Sequence, residues 1–265
     1  MLLQPAPAWL QSGVISLWVL RGRPAGAYVG LPKPYVELIV SLSGDHLWRA
    51  DASSSPLAYR DGWLTPLQVE PRWAETLGEL HLVGARLHLL AAARLFGTAA
   101  MAAGGIPFPL DAVLGSAAKN LRERLLHVHS DRQRLEVLAH WLRARMDRDD
   151  AGWLPQPGDL SCTGWRTDAL AEMLQVSPRG LRKRFSNKVG VSPKLWLQLS
   201  RFDELLRADP APGSLADAAA AFGFADQAHM TREFTRFAGV PPARYATARA
   251  SVAAPKAAPH FVPAS

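Results

Sequence analysis

Apolar residues in the first 110 positions of the chain fall into short runs separated by turn residues. Alternating or β-rich runs at 14–20, 35–42 and 79–87 predict strands, and Ser43-Gly44-Asp45 predicts a turn between two of them. The runs follow one another too closely for helices to alternate with them. The pattern therefore predicts a β-rich barrel or sandwich here rather than a parallel sheet with crossover helices.

Helical periodicity follows over residues 116–147. The first helix is predicted at 116–129 and the second at 131–147, with Ser130-Asp131 as a cap between them. We expect one domain at 1–147, β-rich over 1–110, whose two helices either pair two chains or pack against the barrel. The second helix has apolar residues at i, i+3, i+4 and i+7 spacing: Leu135, Leu138, Ala139, Leu142 and Met146.

Composition separates two further segments. Residues 148–164 are rich in Pro, Gly and Asp, which predicts an interdomain linker. Residues 248–265 are rich in Ala and Pro, which predicts a disordered tail. Between them lies a predicted all-α domain at 165–247.

This all-α domain contains an internal repeat. Phe185 with Gly190-Val191-Ser192-Pro193 matches Phe234 with Gly239-Val240-Pro241-Pro242 at an offset of 49 residues. Each Phe lies in a helix that follows a short helix and a turn, and Ser177 and Asp226 are the predicted caps. A long amphipathic helix at 193–207 separates the copies. The repeat predicts two helix-turn-helix units in tandem, each with a second helix that fits the major groove of DNA.

These motifs resemble the AraC-type (AraC/XylS) transcription regulators. The resemblance covers about 85 residues and implies sequence-specific DNA binding behind a barrel-like, cupin-like sensor domain, for which 31–44 is the most suggestive stretch. This chain departs from the family at two packing positions. It has Ala218 where the family usually has a β-branched residue, and Phe202 where the family commonly has Leu. The strongest match is Gly223-Phe224-Ala225-Asp226-Gln227-Ala228-His229-Met230, followed by Phe234, Gly239 and Pro242.

The distribution of charge along the chain is consistent with an anionic partner for its C-terminal part. The net charge of the chain is +7, of which residues 163–250 contribute +5. The first recognition helix, 178–188, has no acidic residue. Its candidate base contacts are Arg179, Arg182 and Lys183, and its candidate phosphate contacts are Arg184 and Lys188.

The second recognition helix is predicted at 226–237 and is less basic. The resemblance places five DNA-facing residues on it, although His229 has a structural role as an equal alternative. We expect the two helices to enter adjacent major grooves. The five residues are Gln227, Ala228, His229, Thr231 and Arg232.

The N-terminal domain is predicted to sense a small effector, to dimerise, or both. Its tryptophans either line an effector pocket or form the core of the barrel. Glu37 lies in a strand-like run and is either a buried polar anchor or a solvent-facing residue. The tryptophans are Trp9, Trp18, Trp48, Trp63 and Trp73.

The expected partners are double-stranded promoter or operator DNA, a small effector, a second copy of the chain and, for an activator, RNA polymerase. Cys162 offers no disulfide partner, and no apolar run is long enough for a membrane span, so we expect a cytoplasmic protein without cofactor or metal. No H-E-x-x-H, Walker loop or Gly-x-Ser-x-Gly is present, and we expect no enzyme. The alternatives are a DNA-binding dimer without effector and a metal-dependent barrel enzyme fused to a DNA-binding domain.

Overall fold

The computed structural model describes residues 2–22, 27–49, 53–97, 106–146, 164–209, 214–250 and 261–263. The chain divides into two compact units. The first comprises Met1–Ala27, Tyr35–Leu67 and Arg72–Trp153, and the second comprises Tyr28–Pro34, Gln68–Pro71 and Leu154–Ser265. The predicted linker, including Cys162, lies outside the described residues apart from Gly164.

The first unit is built on an antiparallel sheet, as the β-rich pattern predicted. The order of its strands is β1-β2-β7-β4-β6-β8, with β5 paired to β4. The strands are β1 (Leu2–Pro5), β2 (Val14–Gly22), β4 (Val36–Arg49), β5 (Leu57–Tyr59), β6 (Gly62–Thr65), β7 (Arg72–Leu87) and β8 (Phe108–Pro109).

The two longest strands, β4 and β7, pair from Val36 opposite Leu87 to Arg49 opposite Trp73, with register shifts between Ser41 and Asp45. Gly44 lies in this irregular stretch with φ +83°, and a Cβ there would come within 2.9 Å of a backbone oxygen of β7. Only glycine suits that combination. The predicted turn at residues 43–45 is therefore a bulge within one strand.

Two helices pack against one face of the sheet. Helices α3 (Ser116–His127) and α4 (Asp131–Arg143) bury all their leucines except Leu126, and Ser130 and Gln133 form a capping box at the start of α4. Asp131 accepts two hydrogen bonds from Arg21, at 2.6 and 2.9 Å. Of the two roles predicted for these helices, the structure shows packing on the sheet. The buried leucines are Leu121, Leu125, Leu135, Leu138 and Leu142.

The opposite face of the sheet is polar and aromatic. Register places Glu37 opposite both Arg86 and Thr65, and places Trp18 opposite Gly84. Glu37 accepts from Arg86 at 3.2 Å, and both side chains are almost fully buried. The prediction that Glu37 is a buried polar anchor is confirmed.

Two helices of the first unit were not predicted. Helix α1 (Leu89–Phe96) follows β7, and helix α2 (Leu110–Leu114) follows β8, within a region expected to contain strands. The sequence of α1 consists mostly of Leu and Ala, which are the strongest helix formers, and it lacks the alternation of a strand. A continuous apolar run is ambiguous between the two structures, and here the helix forms.

The second unit contains the five predicted helices in order and a sixth, Pro242–Ala250, that was not predicted. It also holds a short antiparallel pair, β3 (Tyr28–Gly30) with β9 (Phe261–Pro263). Each predicted motif of the repeat has its helices. They are α5 (Thr167–Met173), α6 (Pro178–Lys188), α7 (Pro193–Ala208), α8 (Leu215–Ala221), α9 (Gln227–Ala238) and α10 (Pro242–Ala250).

The expectation of a disordered tail from residue 248 is wrong in two places. Helix α10 continues to Ala250, because Ala and Arg are good helix formers, and β9 pairs with β3. The other tail residues lie outside the described part of the chain. No helix in the described ranges is long and apolar enough to cross a membrane.

Candidate nucleic-acid interface

The first recognition helix, α6, begins and ends as the sequence predicts. Ser177 Oγ accepts a hydrogen bond from the Gly180 amide at 3.1 Å, and Pro178 occupies the first turn. Leu181 and Phe185 are completely buried. The inward face of the helix is therefore fixed, and the opposite face is left for solvent or a ligand.

Every charged residue on that outer face is basic. The structure places all five predicted residues of α6 on the surface, and four of them form no hydrogen bond or ion pair with any described residue. Because no carboxylate in the described ranges pairs with these four side chains, the face attracts an anionic partner. The four are Arg179, Arg182, Lys183 and Lys188; the fifth, Arg184, is exposed but has a further interaction.

The second recognition helix, α9, spans Gln227–Ala238, one residue later at each end than predicted. Asp226 caps it by accepting from the His229 amide at 2.6 Å, which confirms the predicted cap. Gly239 ends it with φ +74°. The predicted contact residues share the outer surface: Gln227, Ala228 and Arg232 are exposed, whereas His229 and Thr231 are half-buried.

The ring of His229 has local contacts. Its Nδ1 accepts a hydrogen bond from the Ala225 amide at 3.4 Å, and its ring meets Phe224 edge-on with centroids 5.5 Å apart. These contacts favour the structural alternative for this residue. His229 also lines the cleft described below.

Helix α7, the long amphipathic helix predicted between the copies, packs on both helix-turn-helix units. Trp196 contacts Phe185 of α6 with centroids 5.6 Å apart, and Phe202 contacts Phe234 and Phe237 of α9 at 5.3 Å each. Phe202, where the family commonly has Leu, thus contacts two aromatic rings of α9. One helix therefore carries both recognition helices.

An ionic cluster, which sequence reasoning missed, joins α7 to α9. Arg201 donates to Glu233 Oε1 at 2.6 and 3.0 Å, and Gln198 donates to Oε2 at 2.9 Å. Arg201 also donates to the carbonyl of Gly223 at 3.2 Å and stacks 3.9 Å from the ring centre of Phe224. Burial within this cluster keeps the Glu233 carboxylate off the exposed surface of α9.

An open cleft of about 580 Å³ lies between the two helix-turn-helix units. Arg182 from α6 and His229 from α9 both line it, together with Lys194 and Gln198 of α7. Sequence reasoning overlooked these two residues of α7. Their signal was available, because Lys194, Gln198 and Arg201 form a polar stripe at i, i+4 and i+7 on an amphipathic helix.

An exposed ion pair also borders the cleft. Arg166 donates to Asp168, and this bond, with a backbone bond from Ala169, lowers the pKa of Asp168 to about 2. Asp168 is therefore ionised at neutral pH, and its charge is neutralised by Arg166. Within the described ranges, no group of three His, Cys, Asp or Glu residues is arranged to hold a metal ion.

Two capped units on one shared helix define a tandem helix-turn-helix domain. Residues 170–248 match a family model described as a helix-turn-helix domain. This segment of the chain is therefore similar to the helix-turn-helix domains of AraC-type DNA-binding transcription regulators.

Solved structures that resemble the chain include ToxT from Vibrio cholerae, with 12% identity over 87% of this chain and 97% of that chain and a TM-score of 0.45. Unsaturated fatty acid-bound wild-type ToxT has 10% identity over 92% and 96%, with a TM-score of 0.45. The AraC-like transcriptional activator CuxR has 14% identity over 78% and 85%, with a TM-score of 0.29. No curated protein matches the chain.

Proposed function

We propose that the chain recognises a specific operator by inserting α6 and α9 into adjacent major grooves on one side of the duplex. The observation that carries this proposal is the packing of both helices on α7, with the exposed basic face of α6 bordering the cleft that α9 also lines. B-DNA repeats every 10–10.5 base pairs, so two helices carried by one body suit two successive grooves.

Within α6 we assign base contacts to Arg179, Arg182 and Lys183, which are spaced i, i+3 and i+4 and lie on one face. Arginine donates two hydrogen bonds to guanine O6 and N7, and each such pair discriminates by about 1–3 kcal/mol. Arg184 and Lys188 lie further along the helix, and we assign them to phosphates.

Within α9 the assigned contacts are weaker and more varied. Gln227 presents an amide that fits the N6 and N7 edge of adenine, and Ala228 suits a thymine methyl group. Arg232 meets a base or a phosphate, and Thr231 supplies a hydroxyl. His229 keeps its local bond to Ala225 and offers only its outer ring edge.

Selection from randomised duplexes tests this arrangement. We expect bound sequences to contain two specified blocks whose centres are about 10 base pairs apart, with guanine prominent in the block read by α6. Lys119→Ala, which removes an exposed cation from the first unit, should select the same sequences. Enrichment of no sequence, or of a single block, would contradict the proposed two-groove reading.

We propose further that the first unit binds a small effector that carries hydrogen-bond acceptors. The polar and aromatic face of its sheet includes buried donors that find no acceptor among the described residues. An indole N–H only donates, so a ligand in contact with it must accept. The donors are Nε1 of Trp18, Trp48 and Trp63 and the hydroxyls of Ser16 and Thr65.

The aromatic part of this face is continuous. The ring of His46 stacks on Trp63 with centroids 4.6 Å apart and contacts Trp48 at 5.6 Å. A thermal-shift screen with small carboxylates and sugars tests the effector proposal. A hit should raise the melting temperature and change tryptophan fluorescence, and Trp63→Phe should weaken both responses. No response to any compound would favour the alternative of a DNA-binding protein without effector.

We also propose that the chain acts as a homodimer, because paired chains would double the length of DNA that is read. Light scattering at micromolar concentration tests this, and a mass of one chain would contradict it.

A further inference from the structure

We infer that Arg201 is a positioning residue for DNA recognition. It sets the orientation of α9 relative to α7 and thereby determines the bases that the second helix-turn-helix unit reads. This inference rests on the proposed function. Arg201 itself lies inside the domain, and its effect on DNA would be exerted through α9.

The contacts of Arg201 fix three points of the second helix-turn-helix unit at once. Its guanidinium binds Glu233 in the middle of α9, the carbonyl of Gly223 in the turn before α9, and the face of Phe224 beside that turn. The side chains of Arg201 and Glu233 are only 9% and 6% exposed. A planar group with donors on several edges holds direction as well as distance, which a single point charge cannot do.

The two units are held to α7 by different chemistry. In the first helix-turn-helix unit, α6 meets α7 through aromatic packing of Phe185 on Trp196. In the second helix-turn-helix unit, aromatic packing by Phe202 is supplemented by the charged cluster. Hydrophobic contacts tolerate small rotations of a helix, whereas a multiply bonded guanidinium has one geometry.

The position of the cluster connects it to the DNA-facing surface. Arg201 and Glu233 line the cleft between the units with Gln198 and His229. Glu233 directly follows the assigned contact Arg232 and lies four residues after His229. Rotation of α9 about its axis would therefore displace Arg232 and His229 from the DNA. The loss of the cluster is therefore expected to affect the bases assigned to α9 and to spare those assigned to α6.

A double substitution separates positioning from stability. Arg201→Met alone leaves Glu233 buried without its partner, which destabilises a fold whatever the role of the pair. Arg201→Met combined with Glu233→Met removes both charges and keeps two long apolar side chains that favour helices. Gly223 is exposed, so water can bind its carbonyl. Replacing the ion pair Arg132 and Glu136, which lies on the surface of α4 and away from the proposed effector-binding face, by the same two substitutions is the control.

For the Arg201/Glu233 double variant we expect a far-ultraviolet circular dichroism spectrum like that of the unaltered chain. Selection from randomised duplexes should retain the α6 block and lose the α9 block, and the affinity for the originally selected site should fall by about tenfold or more. The control variant should select both blocks. A folded double variant that selects both blocks and binds within about twofold of the unaltered chain would overturn the inference.

Arg201→Lys tests the same point without removing charge, and it covers the case in which the double variant does not fold. Lysine neutralises Glu233 but lacks the planar fork that also reaches Gly223 and stacks on Phe224. We expect weakened preference in the α9 block alone. Full retention of that block would overturn the inference. If the unaltered chain itself selects no paired blocks, the two-groove proposal has failed, and this outcome is distinct from either result with the variants.

Discussion

Replacing Arg182 by Ala tests the assignment of base contacts most directly. Arg182 is exposed on the outer face of α6, borders the cleft, and has no hydrogen bond or ion pair with any described residue. Truncating it therefore breaks no hydrogen bond or ion pair with the described residues, and alanine favours the helix at least as well. We expect the free energy of unfolding to change by less than about 0.5 kcal/mol.

The effect on DNA binding should be much larger. Loss of one bidentate guanine contact costs about 1–3 kcal/mol, which corresponds to a decrease in affinity of about 5- to 150-fold. The loss should be specific, because the variant no longer distinguishes guanine from other bases at one position. Binding to an unrelated duplex should weaken far less, since only one phosphate-attracting charge among several has gone.

The assay is a titration by fluorescence anisotropy with the selected operator, with the operator changed at one guanine, and with an unrelated duplex. Lys188→Ala is the matched control: it should weaken binding to all three duplexes alike and reduce the dependence of log affinity on log salt by about 0.9. An Arg182→Ala variant with unchanged operator affinity would refute the assignment. An equal loss on all three duplexes would show that Arg182 contacts a phosphate instead.

Three further predictions concern stability. Ser177→Ala removes the cap that binds the Gly180 amide, and the free energy of unfolding should fall by about 1 kcal/mol in a urea titration. Gly84→Ala places a Cβ 2.3 Å from the indole of Trp18, which the rigid ring cannot avoid cheaply; a loss of about 1–3 kcal/mol is expected, and an unchanged midpoint would contradict the packing. Burial raises the pKa of Tyr245 from 10.0 to about 12. A raised pKa in the folded state stabilises the fold below pH 10 relative to higher pH, so stability should fall between about pH 10 and 12, by about 3 kcal/mol. Tyr245→Phe should remove this part of the alkaline loss, and identical pH profiles would contradict the prediction.

The C-terminal domain was predictable because its signals are local. Caps such as Ser177 and Asp226 bond to amides within three residues, and the buried Phe of each unit recurs at a fixed offset, so the helices follow from short stretches of sequence. The basic face of α6 needed only helical geometry. These features do not depend on knowing which distant residues meet.

What the sequence left open depends on distant contacts. Arg201 and Glu233 are separated by 32 positions, and neither has a local sign of its partner. The pair Glu37 and Arg86 is brought together by strand register, which the alternation of residues does not specify. The apolar run of α1 was ambiguous because periodicity does not distinguish a buried strand from a short buried helix.

The shared helix α7 has a consequence for the kinetics of operator binding. In the proposed arrangement, α6 and α9 act as a bivalent ligand with a rigid spacer. Once one helix has engaged its groove, the other is confined near its own site at a high effective concentration. Two modest contacts then reinforce each other, and dissociation requires both to open together. A duplex in which extra base pairs offset one block from the other would lose this chelate effect entirely, even though every base contact remained available.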